Sequence, residues 1–168
     1  AVDLIFTIGS DASRDFASVQ AYHTAHGADD LVTLDENHIL EVYNDDGLPI
    51  TEDAIVFTQT HDQTHFLTIR PASGTGAQGH PNDHRTRGPD APLFDDPSVG
   101  CVFEFIEKFG LTWSWDNANG LQKVHLIGLQ ARATQNRGGG IDGGIDLLPD
   151  SIIDQCIIHV RNSGGNFA

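Results

Sequence analysis

The sequence predicts a mainly β protein, a short parallel β-helix with an N-terminal capping α-helix and one long loop excursion. Apolar runs of strand length recur roughly every ten to fifteen residues, with turn residues between them. Two of these runs, residues 124–132 and 151–161, have similar patterns and start a little over 25 residues apart. Similar strands at that spacing indicate successive turns of one coil rather than two arms of a hairpin.

The first 30 residues are predicted to contain one strand and the capping helix. Residues 4–8 have a strand pattern that ends at Gly9. Ser13 is a candidate N-cap, and helical spacing of apolar residues continues over residues 15–26 until Gly27 ends it. The helix is short, and its apolar face needs a surface to cover.

The remaining strands form a regular series with one interruption. Strand patterns occupy residues 39–43, 54–59, 65–70, 101–106, 111–115, 124–132 and 151–161. Gly, Pro, Asp and His dominate residues 73–100, which we interpret as an excursion from a single domain spanning residues 1–168. Stacked turns would bring Leu126 and residues 128–129 against Ile153 and Cys156.

The charge is strongly one-sided. Nine Lys and Arg residues stand against 24 Asp and Glu residues, which gives a formal net charge of −15. We therefore expect no nucleic-acid partner and no anionic membrane surface, because both need a basic footprint. An acidic surface suits solubility in a salty medium, although Asp is also a common turn residue and could simply reflect the many loops.

The sequence contains neither a long apolar stretch nor a recognisable signal peptide. The chain starts with Ala-Val-Asp, as expected after removal of an initiator Met or after processing. Cys101 and Cys156 both lie in apolar strand runs, which favours buried free thiols. A bridge between them across stacked turns remains an alternative.

Several segments resemble a known superfamily. The segments are Thr7-Ile-Gly9 with residues 15–21, and then residues 41–45, 60–69, 70–74, 93–100 and 124–129. Together they resemble right-handed parallel β-helix proteins of the pectin-lyase-like superfamily, and most closely those encoded by bacteriophages and prophages of marine bacteria. The resemblance covers most of the chain and implies a right-handed coil. Such proteins usually continue for more turns, so we expect a partner to cover the last one.

Asp142 and Asp146 are the candidate catalytic residues. Polysaccharide lyases and hydrolases on this fold carry clustered carboxylates, and these two lie in the glycine-rich run of residues 138–146. The alternative, which we favour, is that the glycines form a wide turn capped by the aspartates. No other catalytic series is recognisable.

Two histidine pairs have a spacing that can hold a metal ion on a helix, His61 with His65 and His80 with His84. Both pairs fall in turn or loop sequence, so a solvated loop is the favoured interpretation. His61 and His65 are kept as candidate metal ligands. The sequence predicts no cofactor.

Binding or interface residues are predicted at two places. Trp113 and Trp115 alternate along a strand and share one face, where they could stack on sugar rings or pack in a core or interface. Loop and terminal residues complete the set: His80, His84, Arg85, Arg87, Phe94 and Phe167.

These patterns favour a non-enzymatic structural or binding protein of a virion, such as a capsid decoration, spike or fibre component. It would form a homo-oligomer or dock on another virion protein, with residues 73–100 as a contact arm, and would be located in the virion or outside the cell. Two alternatives remain. One is a polysaccharide-degrading depolymerase, and the other is an adhesin that binds surface polysaccharide without turnover.

Overall fold

A computed structural model describes residues 1–43, 45–52, 55–72, 102–105, 111–113, 124–127, 129–133, 141–142, 152–154 and 157–159. These residues are mainly β and form parallel sheets, as the sequence predicts. The predicted excursion at residues 73–100 lies outside them. Several candidate site residues and both cysteines also lie outside the described residues: His80, His84, Arg85, Arg87, Phe94, Cys101, Trp115, Asp146, Cys156 and Phe167.

The described residues form two helices and twelve strands. The helices are α1 (Val19–His26) and the single turn α2 (Leu31–Leu34). The longer strands are β1 (Val2–Ile8), β2 (Glu36–Val42), β5 (Leu67–Pro71), β6 (Val102–Phe105), β8 (Val124–Ile127) and β9 (Gln130–Ala133). The shorter strands are β3 (Ile50–Glu52), β4 (Ile55–Phe57), β7 (Leu111–Trp113), β10 (Ile141–Asp142), β11 (Ile152–Asp154) and β12 (Ile157–His159).

All strand pairs in the described residues are parallel, and they form three sheets. The five-stranded sheet has the order β1-β2-β5-β8-β11, the four-stranded sheet β12-β9-β6-β3 and the three-stranded sheet β10-β7-β4. From β2 onward, successive strands enter the five-, four- and three-stranded sheets in the same cyclic order. Each strand therefore pairs with the strand three places later in the chain.

From β2 onward the register has a nearly constant offset except across residues 73–100, whereas β1 and β2 are offset by 34 positions. Ile152 pairs with His125, 27 positions earlier, and Leu67 pairs with His38, 29 positions earlier. Leu67 also pairs with Val124, 57 positions later. The excess of 28 positions over the preceding offset equals the number of residues from 73 to 100. That segment therefore adds chain length between β5 and β6 without interrupting the pairing of the three sheets.

The pairing of the two similar runs is confirmed, but each run is two strands rather than one. Ile153 pairs with Leu126, as predicted. Residues 124–132 contribute β8 to the five-stranded sheet and most of β9 to the four-stranded sheet. Between these strands Leu129 is fully buried, so a core side chain marks the bend. The sequence predicted a single strand in each run because the apolar pattern continues through the bend.

The core is built from columns of side chains that face each other along the sheets. In one column the register places Phe6, Leu40, Ile69 and Leu126 on consecutive strands of the five-stranded sheet. The last three side chains are fully buried. Burial of each contributes about 1.5–3 kcal/mol relative to exposure.

The helix α1 begins four residues later than predicted. Its N-cap is Ser18, whose hydroxyl accepts a hydrogen bond from the Ala21 amide, and Ser13 is not the cap. Phe16 forms a parallel bridge with Ile8, and Asp15 exchanges hydrogen bonds with Thr7. These contacts hold the segment extended beside β1, so a helix cannot start there.

The helix α1 packs against the edge strands of the two smaller sheets. Glu52, at the end of β3, accepts hydrogen bonds from the amides of Val19 and Gln20 at 2.6 and 3.1 Å. Beyond β4, the Thr58 hydroxyl donates to the carbonyl of Gly27 just after the helix. Both ends of the helix are therefore tied to strands that lie more than 30 residues away in sequence.

The sequence did not indicate α2, β3 or β10, and β10 (Ile141–Asp142) lies in the glycine-rich run that was interpreted as a turn. Asp30 caps α2 by accepting from the amides of Val32 and Thr33, and Asp35 ends it in the left-handed region at φ 58°. The three residues of β3 are too few for a periodic pattern. The helix α2 depends on local capping, whereas β3 depends on pairing with the distant strand β6.

Candidate functional site

A cluster of polar side chains lies where α1 meets the first turns of the sheets. We call it the histidine network: Tyr22, His26, Asp29, Glu36, His38 and Gln59. Tyr22 and His26 come from α1, Asp29 follows it, Glu36 and His38 lie on β2, and Gln59 follows β4. His38 is the most deeply buried histidine of the group, at 1% exposure.

One hydrogen-bonded chain crosses the network in a single direction. The amide nitrogen of Gln59 donates to Tyr22 Oη at 2.8 Å and to the His26 carbonyl at 3.0 Å. Tyr22 Oη lies 2.7 Å from His38 Nδ1 and donates to it when that nitrogen carries no proton. In this tautomer of neutral His38 the proton resides on Nε2 and points to Glu36 Oε2 at 3.3 Å.

The second branch of the network joins α1 to the residues that follow it. His26 Nδ1 donates to Asp29 Oδ2 at 2.8 Å, and each of these side chains is 28% exposed. The His26 ring stacks on Tyr22 with centroids 5.2 Å apart and meets the His38 ring nearly at right angles. The network thus extends from a buried imidazole to a histidine–aspartate pair that solvent can reach.

Aromatic rings enclose the network. The Phe6 centroid lies 4.8 Å from that of His26, 5.1 Å from that of His38 and 5.4 Å from that of Tyr22. Phe16 packs edge-on against Tyr22 and His26. These rings restrict rotation of the imidazoles and lower the local dielectric, which strengthens the polar contacts inside.

Burial controls the protonation of the inner residues. It lowers the pKa of His38, against the opposing effect of its hydrogen bond to Glu36, and therefore favours neutral imidazole at neutral pH. Burial also raises the pKa of Tyr22, so its hydroxyl stays protonated. Imidazole nitrogens beside a carboxylate are metal-ligand chemistry, and donor atoms of His26, Asp29 and His38 lie within 4.8 Å of one another.

A second, more exposed histidine site contains one of the predicted residues. His65 Nδ1 lies 2.7 Å from Asp62 Oδ1, and His65 Nε2 lies 3.0 Å from Asp35 Oδ1. These hydrogen bonds, first that to Asp35 and then that to Asp62, raise the pKa of His65. The hydrogen bond from the Thr64 amide is the main cause that holds the pKa of Asp62 at about 2.

The predicted pair His61 and His65 lies in a bend, without helical structure. His61 is buried at 6% exposure, whereas both ring nitrogens of His65 face carboxylates. The three-residue group with metal-ligand geometry contains neither of them. The alternative of a solvated loop also needs revision for His61, because its side chain is inside.

Other predicted site residues are placed by register alone. Trp113 pairs with Phe57 in the three-stranded sheet, and both alternatives for its side chain, stacking on sugar rings or packing in a core or interface, remain predictions. Asp142 pairs with Thr112, next to the column that contains buried Ile55. Its proposed partner Asp146 lies outside the described residues, so the pair remains a prediction.

The sequence analysis missed the histidine network because its members are far apart in the chain and show no ligand spacing. One signal was present. His38 precedes Leu40 and Val42 at alternate positions on β2, so it occupies the apolar phase of a strand. A histidine in that phase needs hydrogen-bond partners inside the protein.

No family model, curated protein or solved structure matches the chain. Within the described part of the chain, neither helix has the length and apolar character needed to cross a membrane.

Proposed function

We propose that the chain is a right-handed parallel β-helix that serves as a structural or binding module, in a virion or outside the cell. The observation that carries this proposal is the cyclic use of three parallel sheets from β2 onward, with offsets of 27–30 residues outside the inserted segment. A coil of that kind is a rigid scaffold whose sides and ends present surfaces to partners. The resemblance to bacteriophage and prophage β-helix proteins supports the virion role.

The five-stranded sheet offers a surface for self-association. Its edge strand β1 has exposed apolar side chains at Val2 (60%) and Ile5 (53%), and Leu34 of α2 is also exposed. Phe16 bridges β1 only at Ile8, so among the described residues no strand pairs with the outer edge of Val2 to Phe6. An apolar strand edge of this kind favours pairing with another chain, and we propose a second copy.

The test is the mass of the purified chain in solution, measured by light scattering over a range of concentrations. We expect an oligomer that Ile5→Asp dissociates. Leu48→Asp is the matched control, because Leu48 is 62% exposed and lies outside β1 and α2, so its replacement should leave the mass unchanged. A monomer that also fails to bind any capsid or tail protein of a phage particle would overturn the proposal.

The depolymerase and adhesin alternatives predict different results. Incubation with acidic polysaccharides, followed by detection of unsaturated or reducing ends, would identify an enzyme, and Asp142→Ala tests whether that carboxylate takes part. Binding without turnover that Trp113→Ala abolishes would identify an adhesin. Either result would replace the structural role as the main function while leaving the proposed fold intact.

A further inference from the structure

We propose that His26, Asp29 and His38 bind a divalent transition-metal ion of the zinc type. Two imidazoles and one carboxylate are a donor set that suits Zn²⁺ and neighbouring transition metals, and their donor atoms already lie within 4.8 Å of one another. The site is independent of the proposed self-association, because that surface consists of Val2, Ile5 and Leu34 instead.

The donor atoms, within 4.8 Å of one another, fit an ion after side-chain movements of up to about 1.5 Å. A tetrahedral zinc ion with ligands at about 2.0–2.1 Å holds its ligand atoms about 3.3 Å apart. His26 Nδ1 and Asp29 Oδ2 are 2.8 Å apart, so they need to separate by only a fraction of an ångström. The His26 and His38 rings meet at 88° with centroids 5.5 Å apart, so the two imidazoles are direct neighbours in the network.

Neighbouring residues hold the ligands in place. Gln59 fixes the His26 backbone through its carbonyl and orients Tyr22, which contacts His38 Nδ1. Nε2 of His38 is then the ligand atom. Metal binding replaces its hydrogen bond to Glu36, and a proton on Nδ1 is donated in a hydrogen bond to Tyr22 Oη. Such outer hydrogen bonds fix the tautomer and ring orientation of metal-bound histidines.

Access to the site is asymmetric. His38 is buried, whereas His26 and Asp29 are each 28% exposed, so an ion can enter from their side. Three protein ligands leave a fourth position for water, an arrangement found in open zinc sites. The competing explanation is a hydrogen-bonded network that needs no ion, and it predicts no specific metal binding.

Calorimetric titration of the metal-free full chain with ZnCl₂ tests the proposal, together with the d–d absorption of Co²⁺ as a probe of coordination. We expect one ion per chain and reversal by EDTA. At a free zinc concentration a hundredfold above Kd, the melting temperature should rise by roughly 5–10 °C.

The ligand variants are Asp29→Asn and His26→Gln, whose side chains are partly exposed and whose replacement spares the buried His38. Each should weaken zinc affinity at least tenfold and, at the same zinc concentration, reduce the shift in melting temperature to about half or less. The matched control is His65→Gln, at the other histidine–carboxylate cluster, which should bind zinc as the unmodified chain does. The proposal fails if zinc does not bind, if both ligand variants retain full affinity, or if only the control loses it.

Discussion

Removal of the Glu52 carboxylate should loosen α1 from the sheets. Glu52 is 1% exposed and accepts hydrogen bonds from two amides of the first helical turn, Val19 at 2.6 Å and Gln20 at 3.1 Å. These amides have no partner within the helix, since the first turn of any helix leaves its donors unpaired. A carboxylate there also interacts favourably with the positive end of the helix dipole.

The magnitude follows from these contacts. Each hydrogen bond to a charged acceptor contributes about 1.5–3 kcal/mol, and a buried donor left unpaired costs a similar amount. Glu52→Ala should therefore lower the free energy of unfolding by about 3–5 kcal/mol. For a chain of this size the melting temperature would fall by roughly 6–20 °C. Glu52→Gln keeps one acceptor oxygen and should cost about half as much.

Urea denaturation followed by circular dichroism measures the effect. The urea concentration at the midpoint should decrease, and the dependence of the free energy of unfolding on urea concentration should stay unchanged. Glu41→Ala is the matched control on β2. The Glu41 carboxylate pairs with Arg70 at 2.8 Å, but Arg70 is 40% exposed, so the loss should stay below about 1 kcal/mol. Equal effects of Glu52→Ala and Glu41→Ala would refute the argument that Glu52 anchors the helix.

Three further predictions concern other parts of the fold. Asp35 and Asp62 raise the pKa of His65. The difference in free energy of unfolding between the unmodified chain and His65→Gln should therefore be greatest below about pH 6.5 and decline as pH rises through the folded pKa of His65. A difference that is constant from pH 5 to 9 would contradict this. Leu126→Ala should lower the free energy of unfolding by about 2–5 kcal/mol, and a loss below about 1 kcal/mol would argue against its place in the core column. Gly9→Ala should destabilise by about 1–3 kcal/mol because its Cβ would overlap an Asp45 carboxylate oxygen, and a stabilised variant by thermal unfolding would disprove the overlap.

The sequence predicted those parts of the fold that depend on repeated apolar positions. Ile153 and Leu126 were expected to face each other, and they do, because stacked strands repeat the same apolar phase. The class of fold, mainly β with parallel sheets, was predicted for the same reason. Periodicity reports only which residues face inward, so it cannot locate a bend where an apolar residue such as Leu129 also points into the core.

Contacts between distant residues determine what the sequence could not predict. Phe16 has helical spacing with the residues after it, but its bridge to Ile8 holds it outside the helix. The histidine network likewise joins Tyr22, His38 and Gln59, which are separated by 16 to 37 positions along the chain. A single sequence gives the chemical type of these residues but not their proximity.

The insertion between β5 and β6 has a practical consequence for protein engineering. The three sheets pair strands from both sides of residues 73–100, so we expect the folded scaffold to tolerate a change of chain length at this position. The entropy of loop closure changes by only about 0.6 kcal/mol for each twofold change in length. A peptide tag, an epitope or a small domain grafted between Ala72 and Val102 should therefore cost the scaffold little free energy of folding.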